Sequence, residues 1–270
     1  MAVSPEAKKE YTKRIQQFKK GIENSDAQIK ELEREIHKSE SAPAALLRIQ
    51  QAHLHLSVIS YFLTMSDISM QLIGIKNEGF LDQGRKRMYV VIAVLENIVG
   101  KYIDVPLNEN QEQLKDIESL SDADRLRLIQ KIGYSVQAIE DKFGASSKWK
   151  WSFVDLYASV IRLMKNMVDY KAVQSKMDPR IEGYNERALL LKYTKEGLRS
   201  AANRLREKYE IVSHEPSVMK EAIHFLGALY RIESAFSGGD PESVKRNIEI
   251  WNEKLNSDEK VDEAKRKQRK

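Results

Sequence analysis

The stretch "YTKRIQQFKKGIENSDAQIKELEREI", residues 11–36, sets Tyr11, Ile15, Phe18, Ile22, Ser25, Ile29, Leu32 and Ile36 at alternating steps of four and three. Apart from Ser25 these are apolar, and nearly everything between them is charged or polar, which is the pattern of a helix with one narrow seam. Such a seam serves a single neighbour. Residues 1–41 are therefore expected to form a coiled-coil-like helix that needs a partner.

The next segment supplies one. After the break "KSESAP", with Ser and Pro where a helix start favours them, a second helix is expected from about Ala42 to Ile75. Ala42, Ala45, Ile49, Ala52, Leu56, Ile59, Leu63, Ser66, Met70 and Ile73 repeat the heptad spacing. The short break favours an antiparallel helical hairpin, roughly 50 Å long at 1.5 Å per residue. Leu47, Leu54, Val58, Phe62, Met65 and Leu72 form a second apolar seam, so this helix should join the hairpin to a larger body. Alternatively, the first helix finds its partner in another copy of the chain.

Further helices are expected over about 83–103, from a Ser121/Asp124 cap to Phe143, over 148–177, over 184–212, from "HEPS" to about Ser237, and from an Asp240 cap onward. No segment carries a strand pattern. The fold class is all-α, a long hairpin joined to a bundle of eight or nine helices. The expected organisation is residues 1–41, a body over 42–256 with a possible boundary near 105–120 or 144–148, and a disordered basic tail over 257–270.

The 270 residues carry 12 Gly, 6 Pro and no Cys, with 31% charged residues, which suits amphipathic helices. Disulfides, thiolate ligands and cysteine nucleophiles are excluded. The start "MAVSPEAKKEYTK" lacks an apolar run of the secretory kind. Val58–Gly74 reads as too short and too polar to span a membrane. A cytoplasmic location is expected.

The formal net charge of +5 resides in the tail. Without Ala264–Lys270 ("AKRKQRK") basic and acidic residues balance at 40 each. Residues 105–124 are strongly acidic, with Glu109, Glu112, Asp116, Glu118, Asp122 and Asp124 against Lys115. Lys265, Arg266, Lys267, Arg269 and Lys270 offer salt-sensitive attraction to nucleic acid or another acidic surface. The tail has no aromatic residue for base stacking.

In "SSKWKWSF", residues 146–153, two tryptophans stand two positions apart. On a helix running from Trp149, Phe153, Leu156, Val160, Leu163 and Met167 fall within about 40° of it, while Trp151 falls about 200° away with Asp155, Arg162 and Lys165. Trp149 is expected in the core. Trp151, Arg162 and Lys165 are candidates for a partner-binding face, the alternative being that the Trp151 ring packs back over the helix edge.

Other constellations are weaker. Glu221 and His224 have the Glu-x-x-His spacing of di-iron bundles, but no second copy of that pair occurs. His53 and His55 are too close along a helix to share a metal, and His37 and His214 suit helix ends. "GRKRM", Gly84–Met88, reads as three cations at a helix start, an anion site or a group that pairs with the acidic segment. His53, Ser57, Ser60, Thr64, Asp67 and Gln71 form a small polar stripe that suits either a wet helix contact or the wall of a cleft. No phosphate-loop, zinc-protease or serine-hydrolase motif occurs.

These readings point to a non-enzymatic scaffold or adaptor that binds a protein partner or itself, with no cofactor, no metal and no transmembrane segment expected. Two alternatives stand beside it. One is nucleic-acid association through the tail, "GRKR" and Arg199, Arg204 and Arg206; the other is an enzyme or ligand-binding protein with a cleft at the polar stripe.

Overall fold

The computed structural model describes residues 3–109, 111–236 and 238–268. Its helices are α1 (Pro5–Ile36), α2 (Ser41–Ile73), α3 (Glu78–Val99), α4 (Gln111–Lys115), α5 (Asp122–Phe143), α6 (Lys150–Met167), α7 (Tyr170–Ser175), α8 (Tyr184–Lys208), α9 (Pro216–Ala235) and α10 (Pro241–Gln268). A π-helical turn, Tyr209–Ser213, extends α8. Eight of the ten helices have seven or more residues, and no strand occurs among the described residues. The all-α bundle is as expected; α6 and the short α7 divide the helix expected over about 148–177.

The chain forms two compact units, Met1–Gly100 with Glu112–Leu156, and Lys101–Gln111 with Tyr157–Lys270. The division falls inside α6 and beyond the break at 144–148. It groups α1 with the helices that follow it instead of leaving residues 1–41 apart.

In the first unit, Ser4 caps α1 by accepting from the Ala7 amide at 3.1 Å, and Pro5 opens the helix. α2 ends at Gly74, whose φ of 68° is left-handed and suits glycine. α1 and α2 run antiparallel, as Phe18 with Tyr61 (ring centroids 5.9 Å apart) and Glu33 with Gln51 (3.2 Å) show. Every residue of the α1 seam is buried or half-buried, with Ile15 meeting Met65 and Ile68. α3 adds to the hairpin, since Arg87 pairs with Asp26 of α1 and Phe80 packs on the cluster of Ile15, Met65 and Ile68.

α3 begins at Glu78, earlier than expected, so "GRKR" lies within the helix. Arg85 and Lys86 both pair with Asp82, at 2.7 and 2.8 Å, and Arg87 pairs with Asp26 at 2.8 Å. Each cation has an acid on a nearby helix turn or on α1, so neither an anion nor the acidic 105–124 segment is needed to explain them. Ser121 caps α5 as the sequence implies, accepting from the Asp124 amide at 3.1 Å.

α2 is 33 residues long and includes an 18-residue window of mean hydropathy 1.3, so by length and composition it is apolar enough to cross a membrane. Here α2 packs against α1, α3 and α5, and 39% of that window is buried.

In the second unit α9 packs on α8 and α10. Phe225, Leu229, Ile232, Leu198, Ala202 and Val244 are at most 0–1% exposed and form the centre of the layer. α10 continues to Gln268, so the backbone expected to be disordered from 257 is helical through its described part.

Candidate functional site

α8 buries Leu190, Thr194, Gly197, Leu198, Ala201, Ala202 and Leu205 along one arc. Gly197 is needed for that contact: a Cβ there would lie 2.6 Å from Ile161 Cδ1 and 3.1 Å from Met164 Cε. With this arc committed inward, the helical repeat turns Leu191, Lys195, Arg199 and Asn203 outward. They line an open trough of about 770 Å³ that runs from Ala188 to Glu207, roughly 28 Å along the helix axis.

The two halves of the trough differ chemically. At the N-terminal half are Ala188 and Leu191, with Leu189 and Tyr193 nearby on the same helix, each 38% exposed. Toward the C-terminal half are Arg199, Ser200, Asn203, Arg204 and, at its end, Glu207. Two lysines in between are already engaged: Lys195 lies 2.7 Å from the buried carboxylate of Glu233 on α9, and Lys192 lies 4.0 Å from Glu196.

The two arginines are not engaged in this way. Arg204 stacks at 4.3 Å over the ring of Tyr157, and neither Arg204 nor the exposed Arg199 has an ion pair among the described residues. Arg206, one turn on, is held by Glu210 at 2.8 Å and covers the ring of Trp251 at 5.2 Å. The arginines of "LRSAANRLREK" thus divide into one structural residue and two available ones.

The residues expected to bind a partner are dispersed. Trp151 is half-buried, with the Lys150 ammonium 4.5 Å from its ring, and Trp149 is also half-buried rather than in the core. The reason is that α6 starts at Lys150, so Trp149 precedes it and lies against Arg85. Arg162 is 17% exposed and pairs with Glu221 at 2.9 Å. Lys165 is only 1% exposed, contrary to the expectation of a polar surface, because α6 is enclosed. Burial pushes the Lys165 amine down to about 8, with Asp104 and Glu109 opposing the shift and Arg231 adding to it. Arg269 and Lys270, and the side chains of Lys265, Arg266 and Lys267, lie outside the described residues.

The hydroxyls of the polar stripe on α2 turn to their own helix backbone. Ser57 donates to His53 O at 3.1 Å, Ser60 to Leu56 O at 3.2 Å and Thr64 to Ser60 O at 2.9 Å, so each hydroxyl is satisfied by its own helix. Asp67 pairs with Lys142, and Gln71 is exposed. His53 borders a cavity of about 230 Å³ beside Asp124 and Lys131; burial and then Lys131 lower its pKa.

Glu221 is occupied by Arg162, and no group of three or more potential metal ligands occurs among the described residues. The trough itself was only partly foreseen. Its arginines are conspicuous in sequence, but nothing local marks Ala188 and Leu191 as its apolar half.

A family model described as the TP0443 family matches residues 7–259, and the chain belongs to that family. No curated protein and no solved structure matches the chain.

Proposed function

We propose that this member of the TP0443 family is a non-enzymatic protein-interaction module, a scaffold or adaptor in a cytoplasmic assembly, and that it receives its partner along the outward face of α8. The observation that supports this most directly is the pairing, on one open trough, of the half-buried Ala188 and Leu191 with two arginines that have no ion-pair partner among the described residues. Arginine and large aromatic or aliphatic side chains at the centre of a concave surface are the usual energetic anchors of protein interfaces. The dimensions also suit a peptide segment, since roughly 28 Å accommodates about 18 residues of helix.

Nucleic acid is the less favoured occupant. Ala188 and Leu191 line the trough beside its cations, and a phosphate backbone, held by charge, gains nothing from them.

A photo-crosslinking amino acid at Asn203 of the full-length chain, activated in the source cells, tests the assignment. Discrete protein adducts that disappear when the crosslinker is moved to the exposed Lys13 of α1 are expected. RNA adducts, or no protein adduct at Asn203, would overturn it.

A further inference from the structure

Resting on that reading, we infer that the occupant of the α8 trough is an acidic amphipathic helix, with an apolar anchor in one half and carboxylates about two helical turns away on the same face. Leu191 and Arg199 are eight residues apart, a rise of about 12 Å, so an occupant aligned with α8 meets an apolar surface first and a cationic one two turns on.

Charge selects the sign of the second half. Lys192 and Lys195 face Glu196 and Glu233 within ion-pair distance, which leaves the positive charge of Arg199 and Arg204 without a carboxylate partner among the described residues. A planar guanidinium recognises a carboxylate through two parallel hydrogen bonds. Arg204 is also held over Tyr157, which restricts its rotation and presents it in a fixed position. Asn203 stands between them as a neutral donor and acceptor.

The partner is therefore distinguished from a polyanion by its apolar half. Ala188 and Leu191 offer a phosphate chain nothing. A second copy of α8 is disfavoured because its arginines would meet these arginines in a parallel arrangement.

The test uses helix-forming peptides of about 18 residues, matched to the trough length. One set carries three leucines in one half and three glutamates on the same face of the other, in both chain directions; a second set replaces Glu by Lys. Binding to the full chain, to Arg199→Glu and to Arg199→Glu/Arg204→Glu is followed by fluorescence anisotropy, with folding checked by circular dichroism. The wild-type chain is expected to prefer a Leu/Glu peptide at least tenfold over its Lys counterpart, and the double variant to reverse the preference. Arg199→Glu alone, which leaves the Arg204–Tyr157 stack in place, should reduce the preference partway.

Equal binding of Glu and Lys peptides, or a preference unchanged by charge reversal, would overturn the inference. So would tighter binding of a single-stranded RNA of about 20 nucleotides than of either peptide. Protein adducts at Asn203 alongside such a failure would leave the interaction-module reading standing; their absence would remove both.

Discussion

The guanidinium carbon of Arg85 lies 3.9 Å from the centroid of the Trp149 ring, joining the second turn of α3 to the residue just before α6. Arg85 is 8% exposed, and its charge is met by Asp82 at 2.7 Å and by the Ser152 hydroxyl at 3.2 Å. A cation on an indole face is worth on the order of 0.5–2 kcal/mol, more when desolvated. Trp149→Leu is expected to destabilise the chain by about 1–2 kcal/mol. Arg85→Met should cost more, about 2–3 kcal/mol, since it also removes charged hydrogen bonds. In a urea-denaturation double-mutant cycle the pair should couple by about 1 kcal/mol; additive losses would mean the stack contributes nothing of its own.

Lys165 shows why part of the site was not legible in sequence. A helical wheel groups it with Trp151 and Arg162, and that arc is polar. The wheel identifies an exposed face only if the helix has one, whereas Leu163, Met164, Lys165, Asn166, Met167 and Val168 are all buried in succession. Asp104 and Glu109 come from a segment some 60 residues earlier, and no local pattern reveals that they face Lys165. The hairpin, by contrast, was legible because its evidence is local: one seam, one short turn and a second seam at the same spacing.

Burial holds the Lys165 pKa at about 8, below the ordinary 10.5. Between these values the unfolded chain binds more protons than the folded one, so stability rises with pH across that interval. The gain is on the order of 3 kcal/mol if fully expressed. Burial raises the Tyr170 phenol, which lowers stability only above its unfolded value near 10, so the clear window is pH 8–10. Urea midpoints are expected to increase over this range in the native chain and to stay level in Lys165→Met. At pH 7 the substitution should stabilise by about 1–3 kcal/mol, because it removes the cost of keeping a charge buried. A loss of stability on that substitution would show that Asp104 and Glu109 compensate the charge fully.

His55 produces the opposite edge of the stability profile. Arg87 bridges it to α1, with Nη1 3.2 Å from His55 Nδ1 and Nη2 donating to Asp26 Oδ1 at 2.8 Å. Burial, then the Arg87 charge, lowers the His55 pKa to about 4, with Asp26 acting weakly the other way. The unfolded histidine takes up its proton near 6.5, so stability falls as pH drops from there to about 4. His55→Gln is expected to flatten this decline by roughly 2–3 kcal/mol while leaving pH 8 stability within about 1 kcal/mol. A decline of equal depth in His55→Gln would place the acid sensitivity in the carboxylates instead.

The C-terminal helix offers a separation of anchor from extension. Val244, Trp251 and Leu255 are 0–4% exposed, and Arg206 covers the Trp251 ring. Beyond them Tyr209 donates to Asp258 at 2.8 Å and Lys220 meets Glu259 at 3.1 Å. The sequence placed the end of the body near Asn256, which falls just short of these two polar contacts. Ending the chain at Val261 retains every contact of α10 just named and is expected to cost less than a truncation that removes them. Ending it at Ile250 removes Trp251 and Leu255 together and should cost more than about 4 kcal/mol by thermal or urea denaturation, given the penalty for deleting buried large side chains. If the Val261 truncation is as damaging as the Ile250 truncation, the anchor lies further along α10 than Trp251 and Leu255.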